Sequence, residues 1–267
     1  AAVLLNSVSN MKGTYFRLVD IVGSDPKREK LLEAISNPTC GWFYRTDAST
    51  FHDIPGTPIA YWIGRRLRHA WQNGDLSQIF HSGGRLKTHD NMKYIRNWWE
   101  PSRQSVPRRW RPIANGGGFS RWIGMKFDVV DYSIDATNSY RIHGGMPDYS
   151  CLNIPGICWG IITSSVVSFR YKPADELFSS GSPTILPNSA DEGTLLFYLG
   201  FLNSSIAQHA LAILNPTLNT TVGDVLALPL SPRRGMVQPV VKECLSISIA
   251  DWDSQETSRD FKRSPLV

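Results

Sequence analysis

The order of apolar and polar positions along the chain predicts short strands and helices that do not alternate regularly. Residues 13–22, 127–132 and 164–172 are rich in aromatic and β-branched side chains, which favours strands. Residues 25–35 form a helical pattern with Pro26 in its first turn, where proline is well tolerated. Strands and helices mixed without regular alternation are typical of an α+β fold, which we therefore predict.

A second helix is predicted to begin at Pro58, with Thr57 as its N-terminal cap. Its apolar residues recur at helical spacing: Ile59, Trp62, Ile63, Leu67, Ala70 and Trp71. Arg65, Arg66 and Arg68 lie mostly on the opposite face of this helix. A solvated helix face explains these arginines as well as contact with DNA does.

The apolar stretch 199–230 opens as a helix, stops at Asn215 before a proline, restarts after Asn219 and closes on a Leu-Pro-Leu exit. Residues 194–214 are the best candidate for a membrane span. Polar residues and a glycine interrupt that candidate: Gly200, Asn203, Ser204, Ser205, Gln208 and His209. We therefore predict a buried core helix that acts as scaffold.

The remaining stretches carry weaker patterns. The proline- and glycine-rich residues 101–118 predict no regular element, and residues 181–187 predict a loop. Residues 231–267 are polar and predict a connector with one short helix or strand.

Composition indicates a globular protein, because 42% of the 267 residues are hydrophobic and 11% are aromatic. The chain begins at Ala1 without a methionine, and we expect it to be an internal part of a longer protein. The four cysteines form no Cys-x-x-Cys pair, which argues against a zinc site and fits a cytoplasmic protein.

Positive charge is concentrated in residues 85–126, here called the basic window. It holds ten basic and two acidic residues, a net charge of +8, whereas the whole chain has +5. Six aromatic residues lie among them: Tyr94, Trp98, Trp99, Trp110, Phe119 and Trp122. Arginines interleaved with aromatic residues and glycines suit a phosphate backbone and base edges. The alternative is a solvated basic loop.

The chain lacks two motifs that catalytic domains commonly use: a glycine-rich cofactor turn that leads into a helix, and a Pro-Pro active-site loop. It has no Pro-Pro pair, and no helical pattern follows the glycines at 116–118. We therefore expect no catalytic residue, cofactor site or metal site in this chain. Two alternatives stay open: a nuclease built on Asp128, Asp131 and Asp135, and a protein-interaction scaffold that uses the C-terminal connector.

Six segments resemble, in this order, one known family. They are FHDIPGTPIAYWI at 51–63, GRLKTHDNMKYIR at 84–96, GGGFSRWIG at 116–124, GICW at 156–159, the stretch 199–230, and DWDSQETSRDFKRSPL at 251–266. Together they resemble the adenine-specific DNA methyltransferases of BREX-type phage-defence systems (the PglX type). The chain departs from the family pattern at His89, where the family has glycine. Since glycine adopts backbone conformations that other residues rarely do, this loop is the place where the backbone could differ from the family.

The resemblance implies a domain organisation and a function. Residues 1–50 would lead out of a catalytic domain, residues 51–232 would be a DNA target-recognition domain with a twisted mixed β-sheet flanked by helices, and residues 233–267 would connect to a C-terminal region. The chain would recognise a DNA sequence and position the duplex for N6-adenine methylation by a catalytic domain elsewhere in the protein. S-adenosylmethionine is expected in that parent protein. The expected partners are double-stranded DNA, other phage-defence proteins and phage DNA-mimic inhibitors, and no membrane.

Within this resemblance, DNA-binding roles are predicted for residues of the basic window. Thr88, Asp90 and Asn91 would shape a loop that meets the duplex, with phosphate contacts from its flanking lysines. The four arginines of the set would supply further phosphate or base-edge contacts. Its three glycines would let the backbone approach the phosphates closely. The set is Lys87, Thr88, Asp90, Asn91, Lys93, Arg108, Arg109, Arg111, Gly116, Gly117, Gly118 and Arg121.

Overall fold

The computed structural model of the chain describes residues 12–106, 108–164, 166–231, 237–264 and 266. Contacts between residues divide the chain into two compact units, Ala1–Gly74 and Asp75–Val267. The division falls inside the predicted target-recognition region, 51–232, whose functional limits stay a prediction.

The first unit is built on a two-stranded antiparallel sheet of β1 (Lys12–Phe16) and β2 (Phe43–Asp47), with α1 (Ser24–Ser36) between them in sequence. Aromatic rings cover this sheet. Tyr15 stacks on Tyr61 with 4.7 Å between ring centroids. The helix predicted over residues 25–35 is confirmed, whereas the strand predicted over residues 13–22 ends at Phe16.

The helix predicted from Pro58 is wrong in its first half. It begins only after Gly64, as α2 (Arg65–Ala70), and a short 3₁₀ turn follows at Trp71–Asn73. Thr57 caps nothing and has a positive φ of 48°. The Tyr61 hydroxyl donates to the carbonyl of Phe16 at 3.1 Å. Packing of residues 58–63 on the small sheet therefore overrides their local helical pattern.

The second unit contains two four-stranded sheets. The first is antiparallel, in the order β3, β10, β7, β8, and the second is mixed, in the order β4, β6, β5, β9, because β5 and β9 run parallel. In chain order the strands are β3 (Phe80–Ser82), β4 (Ile95–Asn97), β5 (Trp110–Ala114), β6 (Asp128–Asp131), β7 (Gly156–Trp159), β8 (Phe169–Lys172), β9 (Leu177–Phe178) and β10 (Thr184–Pro187). The predicted α+β class with a mixed sheet is confirmed.

Helices cover both sheets. Next to the mixed sheet are α3 (Asn91–Tyr94) and α4 (Ile134–Ile142), whose Tyr140 is fully buried in one core cluster with Val130. The later helices are α5 (Glu192–Leu202), α6 (Ser205–Leu214), α7 (Val222–Leu226) and α8 (Val237–Asp253). The predicted short element after residue 231 is therefore a 17-residue helix, α8.

The helix α5 forms the centre of the second unit. Its residues from Thr194 to Leu199, and Leu202, are buried. Gly200 permits close packing of α8, because a Cβ at Gly200 would lie 2.7 Å from the side chain of Val241. No single described helix is long and apolar enough to cross a membrane, and α5 and α6 meet that criterion only as a pair bent by 73°.

The stretch predicted as one helix over 199–214 breaks after Leu202, and its polar residues pair with the edge of a sheet. The side-chain amide of Asn203 both accepts from the N–H of Phe169, at 3.1 Å, and donates to its carbonyl, at 2.9 Å. Gln208 bonds both backbone groups of Val167 in the same way, at 3.1 and 2.9 Å. These two side chains, from the α5–α6 segment, thus make the backbone hydrogen bonds that a neighbouring strand would make with β8 and with the residues just before it.

Two further predictions were wrong in this unit. Residues 110–114 form β5 although Pro112 lies among them, and Thr184–Pro187 is not a loop but β10, with strands on both sides. β9 pairs with β5 only from Ile113 onward, so one side of β5 is open at Pro112 and tolerates a missing N–H. The strand predicted over 127–132 is confirmed as β6, and that over 164–172 shortens to β8.

Candidate nucleic-acid surface

The loop that contains Thr88, Asp90 and Asn91 is held by its own polar side chains. The buried Thr88 hydroxyl donates to Oδ1 of Asn91 at 2.5 Å. Asp90 caps α3 by accepting the N–H of Lys93 at 3.0 Å. His89 has a φ of 61°, in the left-handed region that glycine adopts most readily.

A polar pocket of about 370 Å³ lies against this loop. It is lined by Leu86, Lys87, Thr88, His89, Asn91, Ile95, Ile113, Asn115, Ser179 and Ser180. Two further pockets share lining residues with it: one of about 410 Å³ through Ser179 and Ser180, and one of about 490 Å³ through Asn91 and Ile95. These three neighbouring pockets in the second unit are together called the groove, and Arg85 and Arg96 line the second and third of them.

Sequence reasoning missed the Ser179–Ser180 wall and Asn115 of this groove. They come from segments far from the 87–91 loop and carry no local motif. Pairing of β5 with β6 and β9 brings them to one place.

Three predicted contact residues of the basic window have exposed side chains. Arg108 is exposed, Lys93 lies over the ring of Tyr94 at 4.8 Å, and Arg121 lies over Phe119 at 5.5 Å. No ion pair within the described residues involves any of the three. These charges are therefore available to a partner.

Arg109 differs, because the fold already uses it. Its Nη2 lies 2.7 Å from Oδ2 of the buried Asp131. Burial alone would raise the pKa of Asp131, but hydrogen bonds from Arg109 and from Ser133 hold this pKa below its ordinary value. Arg109 thus fixes β5 to β6, and its outer face remains half exposed.

Arg111 is also engaged within the second unit. Its Nη2 donates to Oδ1 of Asn153 at 2.9 Å and to the carbonyl of Asp175 at 3.2 Å. Its guanidinium lies 4.9 Å from the ring centre of Tyr132. Arg111 is therefore placed by the fold, unlike Arg108.

The Gly116–Gly118 segment forms a loop on the buried side chain of Arg170, which lies in β8. The Arg170 guanidinium donates to the carbonyl of Gly116 at 2.7 Å, to that of Gly117 at 3.1 Å, and to that of Gly118. Gly116 and Gly117 have φ of 84° and 98°. Nothing in the local sequence connects Arg170 with this loop.

The carboxylates considered for a nuclease have structural partners or lie apart. Asp128 accepts from Nδ2 of Asn115 at 3.0 Å, Asp131 pairs with Arg109, and Asp135 lies in the first turn of α4. Within the described residues, no group of three or more histidine, cysteine or acidic side chains could hold a metal ion.

Known proteins similar to this chain include the "Adenine-specific methyltransferase PglX" of Lacticaseibacillus casei (strain Zhang). The two are 31% identical over 279 residues, which cover 96% of this chain. The resemblance to adenine-specific methyltransferases of the PglX type is confirmed. A second relative, the "Adenine-specific methyltransferase BrxX" of Escherichia coli O9:H4 (strain HS), is 28% identical over 275 residues and covers 100% of the chain. No family model matches.

The chain spans only 23% of the PglX-type relative and 22% of the BrxX relative. Similarity therefore extends along the whole chain but over less than a quarter of either methyltransferase.

Proposed function

We propose that this chain is the DNA target-recognition region of an adenine-specific methyltransferase that acts in phage defence. In this proposal it holds duplex DNA so that a catalytic domain elsewhere in the protein methylates N6 of an adenine. Other phage-defence proteins, phage DNA-mimic inhibitors and a cytoplasmic location belong to the same proposal.

The observation that carries the proposal is the uncompensated charge of the basic window. Of its ten basic residues, only Arg109 makes an ion pair within the described part of the chain. A phosphate backbone presents regularly spaced negative charge, and each cation that meets a phosphate releases a counterion. Arg108 and Arg121 are exposed, and Arg121 lies over the ring of Phe119, which suits contact with a nucleic acid.

The Gly116–Gly118 loop does not fit S-adenosylmethionine. The glycine-rich turn that binds such a cofactor is followed by a helix whose N-terminus receives the ligand. The Gly116–Gly118 loop is followed by turns and then by β6. In this proposal, S-adenosylmethionine binds to the catalytic domain elsewhere in the protein.

The test compares two double variants in the full-length protein. Replacing Arg108 and Arg121 with alanine is expected to weaken binding to all duplexes and to flatten the slope of log affinity against log salt by about 0.9 per lost phosphate contact. The control replaces Lys242 and Lys262, which are exposed cations outside the window, and should change neither quantity.

Duplex affinity across a salt series is the measurement, with melting temperature as a check on folding. Equal losses in both double variants would indicate a diffuse charge effect. No loss in the arginine variant, or no duplex binding by the unaltered protein, would contradict the proposal and favour a scaffold role.

A further inference from the structure

Residues 85–88 form an extended segment that is held from both sides. The N–H of Leu86 donates to the carbonyl of Phe178 at 2.9 Å, and the next N–H, that of Lys87, donates to the carbonyl of Gly145 at 2.8 Å. Consecutive N–H groups that donate to neighbours on opposite sides indicate an extended backbone. Leu86 also forms a parallel β-bridge with Ser179, so the segment is fixed in place.

The side chains of this segment alternate between the core and solvent. Leu86 and Thr88 are buried, whereas Arg85 is exposed and Lys87 is half-buried. Since successive side chains of an extended chain point to opposite faces, Arg85 and Lys87 project from the same outer face. Residues two apart in such a chain lie about 6.6 Å from each other. The fold therefore presents two cations side by side.

Each of these two cations lines a different pocket of the groove. Arg85 lines the pocket of about 410 Å³, and Lys87 lines the pocket of about 370 Å³. Ser179 and Ser180 line both pockets, and Ser180 is exposed. The two cations thus stand at neighbouring hollows that share one wall.

The fold does not use either charge. Within the described part of the chain, the side chains of Arg85 and Lys87 form no ion pair and no hydrogen bond. No acidic residue is among the described residues that line the two pockets. Two unpaired cations on one face therefore suit a ligand with two successive anionic groups, and one strand of a nucleic acid presents such groups at regular spacing.

We propose that Arg85 and Lys87 bind two successive phosphates of one DNA strand, whose backbone lies along the Ser179–Ser180 wall. This proposal rests on the proposed function, since the phosphates are those of bound DNA. A free diphosphate offers the same oxygens, and the experiment separates the two sources.

The first measurement is duplex affinity of the full-length protein across a salt series. Arg85→Met and Lys87→Met each remove one charge and keep an apolar stem. Each should bind the duplex that the protein methylates roughly three- to tenfold more weakly. Each should also flatten the slope of log affinity against log salt by about 0.9. Arg85→Gln and Lys87→Gln repeat the comparison if a methionine variant melts early.

Single neutral methylphosphonates then locate the two contacts on the duplex. Neutralising the phosphate that a cation binds should weaken the unaltered protein but not the variant that lacks this cation. Arg85→Met and Lys87→Met should each become insensitive at one position. These two positions should be neighbours on the same strand.

Arg103 provides the matched control, because it is an exposed cation of the basic window that lines neither pocket. Arg103→Met should remain sensitive to the methylphosphonate at both positions. Insensitive positions that lie on opposite strands, or that are separated by another phosphate, would overturn the proposal. The absence of any insensitive position, or the same insensitivity in Arg103→Met, would overturn it as well.

The outcomes also distinguish this proposal from the function on which it rests. If Arg85→Met and Lys87→Met bind duplex like the unaltered protein while the variant of Arg108 and Arg121 binds weakly, this phosphate pair is wrong and DNA recognition stands. If inorganic pyrophosphate raises the melting temperature of the unaltered protein but not of the two methionine variants, and their duplex affinity is unchanged, the site takes a free diphosphate and the proposal is wrong. No duplex binding by the unaltered protein contradicts both.

Discussion

The helical segment 192–230 and the basic window 85–126 lie in the same compact unit but use their polar groups in opposite ways. In the helical segment, Asn203 and Gln208 have structural roles, because their side-chain amides form hydrogen bonds with the backbone of Phe169 and Val167. In the window, Arg108 and Arg121 have exposed charges without ion-pair partners in the described chain. Asn203 and Gln208 of the apolar segment are thus structural, whereas Arg108 and Arg121 of the window are available for binding.

The largest effect expected from this comparison is the loss of a core side chain. Leu202 is fully buried in α5, so Leu202→Ala should lower the free energy of unfolding by about 2–5 kcal/mol. Ile206, predicted as core from the sequence, is 63% exposed and becomes the control, and Ile206→Ala should cost roughly 0.5 kcal/mol or less. Urea unfolding measures both. Equal losses would show that α6 is buried in solution on the face that carries Ile206.

A smaller effect is expected from the amide that pairs with the sheet edge. Asn203→Ala leaves the N–H and carbonyl of Phe169 without this partner, which should cost about 1–3 kcal/mol. Duplex affinity per folded molecule should not change, since the residue is structural. The exposed Asn219 provides the control, and its alanine variant should keep the unfolding midpoint. A changed DNA preference for Asn203→Ala would break the division between scaffold and binding surface.

The smallest effect concerns Arg109, the window residue with a structural role. The pKa of Asp131 is lowered in the folded state, so its ionised form adds stability above its unfolded pKa of about 3.9, and this is lost as the pH falls towards the folded value. Arg109→Met should therefore reduce the loss of stability between about pH 5 and pH 3. Urea midpoints over this range, compared with Arg108→Met, measure it. An unchanged pH profile would mean that Arg109 is as free as Arg108.

Local sequence patterns correctly predicted the elements whose conformation does not depend on neighbouring elements in the fold. The helix α1 follows from Pro26 in its first turn, the strand β6 from its β-branched residues, and the restart at α7 from the Asn-Pro break. The capping box between Thr221 and Asp224 shows why α7 begins where it does. β10 and β5 were missed because short strands with prolines are stabilised by their neighbours in the sheet.

For the candidate site, the sequence located the concentration of basic residues but did not show which of them are free to bind a partner. The window was recognisable because ten basic residues stand against two acidic ones in a segment rich in aromatics and glycines. Its division into free arginines and the structural Arg109 depends on Asp131, which lies on a neighbouring strand. The Ser179–Ser180 wall of the groove was invisible for the same reason.

The sequence by itself determined the α+β class, the resemblance to adenine-specific methyltransferases, the basic window and the apolar segment, because composition, motif order and helical spacing are properties of neighbouring residues. Only the tertiary structure decided which polar groups remain free, because burial and hydrogen bonding join residues that are distant in sequence. Arg170 shows this most clearly: it lies 54 positions after Gly116, yet its guanidinium orients the glycine loop.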